Sequence, residues 1–150
     1  MTKKADIEDF LAQKNLAVVG VSRKAHKFGN AVFKELKQKG YRVFPVNAHA
    51  ETVEGELCYH DLKSLPESVD GVVIVVPPAQ TESVVKDARE AGIHRVWIQQ
   101  GAQSEAALAF CEENNITAVS KLCILMFLEP IAGIHKFHRW ILKIFGRLPS

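Results

Sequence analysis

Ser22, Arg23, Lys24, His26 and Lys27 lie between a run of β-forming residues that ends at Gly20 and a helical pattern that begins near Gly29. A glycine at the carboxyl end of a strand lets the backbone turn sharply and lets a ligand come close. The start of the following helix offers N–H groups and the positive end of a dipole, a natural seat for phosphate. Two details argue against NAD. The fingerprint G-x-G-x-x-G is missing: Ser22 stands where the second glycine would be, and the next glycine is Gly29. An NAD site also carries an acid at the end of strand two for the ribose diol. Here that strand ends "FPVNAHA", with Asn47 and no Asp or Glu before Glu51. The basic loop therefore suits a ligand with an extra ribose phosphate, either NADP or coenzyme A. A solvated basic loop is the plainer alternative.

Alternating strand and helix segments must position that loop. Ile7, Phe10 and Leu11 mark a short amphipathic helix. Leu16–Gly20 reads as strand one, residues 29–39 as a helix with Val32, Phe33 and Leu36 on one face, and Arg42–Val46 as strand two. Residues 48–68 are polar and irregular, with a short strand near Leu57–Tyr59. Val72–Val76 is apolar throughout, as a strand covered on both faces must be, and Pro77-Pro78 ends it. Thr81 is placed to cap the next helix, which runs to Ala91; Arg95–Ile98 is a strand, Ser104 caps another helix, and Thr117–Val119 is the last strand. This alternation implies one α/β domain over residues 1–150. Its fold class is Rossmann-like and doubly wound: a mostly parallel five- or six-stranded sheet with helices on both faces. Pro130 then opens a C-terminal amphipathic helix over residues 130–146, with a stripe of Ile134, Phe137, Ile141, Ile144 and Phe145. It is expected to pack on the sheet; a dimer face or a membrane-surface helix are the alternatives.

Other residue types weigh less. Cys58, Cys111 and Cys123 are odd in number and have no clip spacing, so they read as reduced thiols in a cytoplasmic protein. Cys58 stands near His60, whose charge would activate the thiol. Cys123, in "LCILMF", reads as a buried thiol. His135 and His138 are too few for a metal site. Trp97 and Trp140 read as core or interface. A formal net charge of +2 makes no general case for nucleic acid, and 47% hydrophobic with 24% charged residues is ordinary for a globular chain. No apolar run approaches the ~18 residues of a membrane span, and the N-terminus has no apolar signal core.

Three stretches together carry a family resemblance: "AVVGVSRKAHKFGNAVFKELKQKGYRVFPVNAHAETVEGE", "VDGVVIVVPP" and "VWIQQGAQSEAALAFCEENNITAV". They resemble the small CoA-binding domain proteins, which are similar to the amino-terminal CoA-binding domain of the succinyl-CoA synthetase α subunit. The resemblance covers about residues 6–125 and keeps the family's order of VGxS loop, PVN, Pro-Pro after an apolar strand, and W-x-Q-x-G. It implies that Gly20, Val21, Ser22, Arg23 and Lys24 hold the phosphates. It implies that Pro45, Val46 and Asn47 line the adenine and ribose, and that Val76, Pro77 and Pro78 flank the adenine or the pantetheine arm. Gln100 and Gly101 would meet the pantetheine. The family commonly continues Pro-Lys after PVN. This chain has Ala48-His49, which leaves Arg23, Lys24 or Lys27 to supply the charge.

The expectation is therefore a protein that binds coenzyme A or an acyl-CoA at the carboxyl ends of its strands, as a sensor or carrier. The synthetase reaction also needs a second domain with a phosphorylated histidine and a nucleotide-binding subunit, so no catalysis is expected of this chain alone. A protein partner or homodimer is expected, with neither nucleic acid nor a transmembrane segment. The alternatives are an NADP-type oxidoreductase module, and an interaction protein working through its C-terminal basic helix.

Overall fold

The computed structural model describes residues 2–24 and 26–128. The C-terminal helix expected over 130–146, with His135, His138 and Trp140, lies outside them. In chain order the elements are α1 (Lys4–Leu11), β1 (Asn15–Val19), α2 (Phe28–Gln38), β2 (Arg42–Val46), a hairpin of β3 (Thr52–Val53) and β4 (Glu56–Leu57), and a 3-10 turn at Leu62–Ser64. Then follow β5 (Gly71–Ile74), α3 (Pro78–Glu90), β6 (Arg95–Gln99), α4 (Glu105–Glu113), β7 (Thr117–Leu122) and a 3-10 turn at Ile124–Phe127.

Five strands form one parallel sheet in the order β2-β1-β5-β6-β7. The chain steps outward from β1 to β2, returns to the other side of β1 and continues outward from β5. Because such crossovers are right-handed, reversing the direction puts the later helices on the opposite face. Strand alternation sorts the core accordingly. Leu16, Val18, Val73, Trp97 and Val119 pack with Ile7, Phe10, Val32, Phe33 and Leu36 of α1 and α2. Ala17, Val72, Ile74, Val96 and Ile98 pack with Val84, Val85, Ala88, Ala107 and Cys111 of α3 and α4. Trp97 is a core residue. Its ring meets Phe10 and Phe127 edge-on at 5.5 and 5.4 Å, and its Nε1 donates to the Leu122 carbonyl at 3.0 Å.

Two local expectations change. Thr81 does not cap α3. Proline is suited to the first turn of a helix, so α3 starts at Pro78, and Thr81 lies inside it, fully buried, donating to the Ala102 carbonyl at 2.5 Å. The last strand runs on to Leu122, with a register irregularity opposite Ile98 and Gln99. Ser104 caps α4 as expected, its Oγ accepting from Ala107 N at 3.1 Å. The β3–β4 hairpin turns through Glu54 and Gly55, both at positive φ, and is tied to α2 by the ion pairs Lys34–Glu54 and Lys37–Glu56. No helix among the described residues is long and apolar enough to cross a membrane.

Candidate functional site

The chain reverses its winding direction between β1 and β5, and open α/β sheets bind ligands outside the carboxyl ends of the strands at such a point. Gly20 follows β1 with φ +119°, and a Cβ there would collide with the Val75 carbonyl. A Cβ on Gly29 would collide with the Gly20 carbonyl. The two glycines thus let the end of β1, the segment after β5 and the first turn of α2 close on one another.

Asn30 shapes the loop between them. It is fully buried; its Oδ1 accepts from Ser22 N and its Nδ2 donates to Ser22 O, both at 2.7 Å. Ser22 Oγ accepts from Lys24 N at 3.1 Å. The backbone is therefore clamped from inside, while Arg23, Lys24, His26 and Lys27 are exposed. None of the ion pairs among the described residues uses Arg23, Lys24 or Lys27. Helix α2 has no side-chain cap and no acid in its first turn, so its positive end faces this loop uncompensated. Asn47 adds a second clamp, its Nδ2 donating to Val21 O and its Oδ1 accepting from His49 N, both at 2.7 Å.

Beside the loop lies a cleft of about 310 Å³. Val19, Gly20, Val21, Val46, Asn47 and Val76 form its floor at the strand ends. Ala48, His49, His60, Asp61 and Leu62 form one wall, and Gln80, Val84 and Asp87 of α3 the other. Of the residues singled out in the sequence, Gly20, Val21, Val46, Asn47 and Val76 meet on this cleft, with Ser22, Arg23 and Lys24 on the adjoining loop. Pro45 is not on its wall. It is buried in the edge strand β2, where its carbonyl accepts from Tyr59 N at 3.0 Å and its missing N–H faces away from β1. Pro77 and Pro78 are exposed at the start of α3. Gln100 and Gly101 are exposed at the end of β6, on the same edge of the sheet but off the cleft wall.

The comparisons fit this geometry. The family model of the CoA binding domain matches residues 14–129. The chain belongs to the CoA-binding domain family. It is 30% identical over 122 residues to the uncharacterized protein YneT of Bacillus subtilis, covering 81% of this chain and 90% of that one. It is 36% identical over 93 residues to the α subunit of the ADP-forming acetate–CoA ligase II of Pyrococcus furiosus, covering 61% of this chain but only 20% of the subunit. A conserved hypothetical protein of Pyrococcus furiosus superposes with a TM-score of 0.70 at 40% identity, over 74% of this chain and 96% of that one. This CoA-binding domain thus spans about a fifth of the ligase subunit it matches, and nearly all of YneT.

Among the thiols, Cys58 is 5% exposed, and burial raises its pKa, so His60 does not activate it. Burial raises Cys111 further, to about 11. Cys123 is half-buried, its Sγ accepting from Gln99 Nε2 at 2.9 Å, while Gln99 Oε1 accepts from Ile124 N at 3.0 Å. Asn30, Gln99 and the α3 wall escaped the sequence reading. A polar residue within a helical or strand pattern gives no local sign of a buried hydrogen-bond partner. The spacing of Gln80, Val84 and Asp87 was the one available signal for the wall.

Proposed function

We propose that the cleft and its basic loop bind coenzyme A or an acyl-CoA, and that this protein holds the thioester as a cytoplasmic carrier or sensor for a partner that performs the chemistry. The observation that carries this reading is the loop over 20–27. It is clamped from inside by Asn30, and its cations Arg23, Lys24 and Lys27 make no ion pair among the described residues, beside a cleft at the switch point of a CoA-binding domain. The nucleotide would lie in the cleft, its phosphates toward Arg23, Lys24 and Lys27, and its pantetheine arm would follow the strand ends toward Gln100 and Gly101. Among the described residues the cleft wall offers carboxylates, imidazoles and carboxamides. Ligase chemistry is named for relatives that extend well beyond this domain, which supports a partner.

Calorimetric titration with CoA, dephospho-CoA, NAD and NADP tests the reading. Tighter binding of CoA than of dephospho-CoA and both dinucleotides is expected, because the loop cations meet the ribose phosphate. Absence of CoA binding refutes it, and tighter binding of NADP than of CoA transfers the site to an oxidoreductase module.

A further inference from the structure

Gln80, Val84 and Asp87 recur at i, i+4 and i+7, so one face of α3 lines the cleft. Val84 packs into the core, leaving Gln80 and Asp87 as the polar groups of that wall. Helix α3 starts at the carboxyl edge of the sheet and runs back against the strands. Seven residues of helix carry the wall about 10 Å away from that edge between Gln80 and Asp87.

The exposed carboxylates near this far end differ in what holds them. Asp61 Oδ1 accepts from both N and Oγ of Ser64 at 2.8 Å. Glu90 pairs with Lys63 at 2.8 Å. The Asp87 carboxylate is exposed on the open cleft wall and has no hydrogen bond or ion pair among the described residues; partial desolvation, then Glu90 and Asp61, raise its pKa. The cleft is thus polarised, with cations at the loop end and a free acceptor at the other. A phosphate is drawn to the first and repelled by the second. What suits the far end is a hydrogen-bond donor on an otherwise flat, apolar group that covers the exposed carboxylate, since Val19, Val46, Leu62 and Val84 supply apolar walls.

We propose that Asp87 is a specificity-determining residue that accepts a hydrogen bond from the 6-amino group of adenine, so that the cleft takes adenine nucleotides and rejects their 6-oxo counterparts. This rests on the reading of the cleft as a coenzyme A site and adds which base it selects. A 6-oxo purine turns an acceptor toward the carboxylate, and two facing acceptors leave both unsatisfied.

The experiment compares CoA with deamino-CoA, in which oxygen replaces the 6-amino group of adenine, on the wild-type protein, Asp87→Ala and Asp87→Asn. The wild type is expected to bind CoA roughly ten- to a hundredfold more tightly. Asp87→Ala is expected to bring the ratio close to one, and Asp87→Asn, whose amide can also donate, to bring it most of the way. Wild-type protein that binds CoA and deamino-CoA equally overturns the proposal while leaving the coenzyme A reading standing, as does a preference that survives both substitutions. Wild-type protein that binds neither overturns both.

Discussion

Asn30 and Asn47 hold the loop after β1 from within, Asn30 through both peptide groups of Ser22 and Asn47 through Val21 O and His49 N. Asn30→Ala removes both partners of the Ser22 peptide groups. It is expected to destabilise the fold by about 1–3 kcal/mol, read as a lower urea midpoint with an unchanged slope. Arg23 is exposed and carries no ion pair among the described residues, so Arg23→Glu is expected to leave the fold unchanged. On the coenzyme A reading it weakens CoA binding by about 1.5–3 kcal/mol without moving the midpoint. The thiols differ by packing. Cys123 is expected to react first with an alkylating reagent at pH 8, because Cys58 and Cys111 are buried and held as thiols; peptide mass mapping over time reads the order.

Element boundaries were legible wherever a local signal decided them. Gly20 ends β1, Ser104 caps α4, and the i, i+3, i+4 rows of α2 face the sheet. Thr81 shows where such signals compete. Its hydroxyl reads as a cap, but Pro77-Pro78 already starts the helix, and the threonine turns inward to bind the loop after β6. Thr81→Val keeps the shape and leaves the Ala102 carbonyl without this donor. A loss of about 1–3 kcal/mol is expected, together with faster amide exchange over residues 100–103. Ser104→Ala, a plain cap loss, is expected to lose about 1 kcal/mol and to leave those amides unchanged.

At the scale of the whole molecule, two stacked cores carry the stability and also set its pH dependence. Burial raises Cys58, Cys111 and Tyr41 above their ordinary values. For a group raised in the folded state, the unfolded chain gives up its proton first, so stability falls as pH rises. For Cys111 that loss begins near its ordinary 9.0 and is complete above about 11. The urea midpoint is therefore expected to drop between pH 9 and pH 11, and Cys111→Ala to flatten the drop. Ligand linkage gives the opposite sign of effect. On the coenzyme A reading, CoA at about a hundredfold excess over its Kd adds about 2.7 kcal/mol, seen as a rise in Tm of several degrees.

The sequence by itself determined the α/β alternation, the parallel sheet, the position of the loop and the family, because each rests on local periodicity or on short ordered motifs. It also brought the candidate site residues to one edge, since parallel strands place all their carboxyl ends together. Tertiary structure alone decided that Pro45 guards a sheet edge, that Asn30 and Asn47 clamp the loop, and that Asp87 joins the cleft from forty residues beyond Asn47. These depend on strand order and on which face of the sheet each helix covers. Both are set by the handedness of the crossovers and by the packing of two cores, and neither leaves a mark in any one stretch of chain.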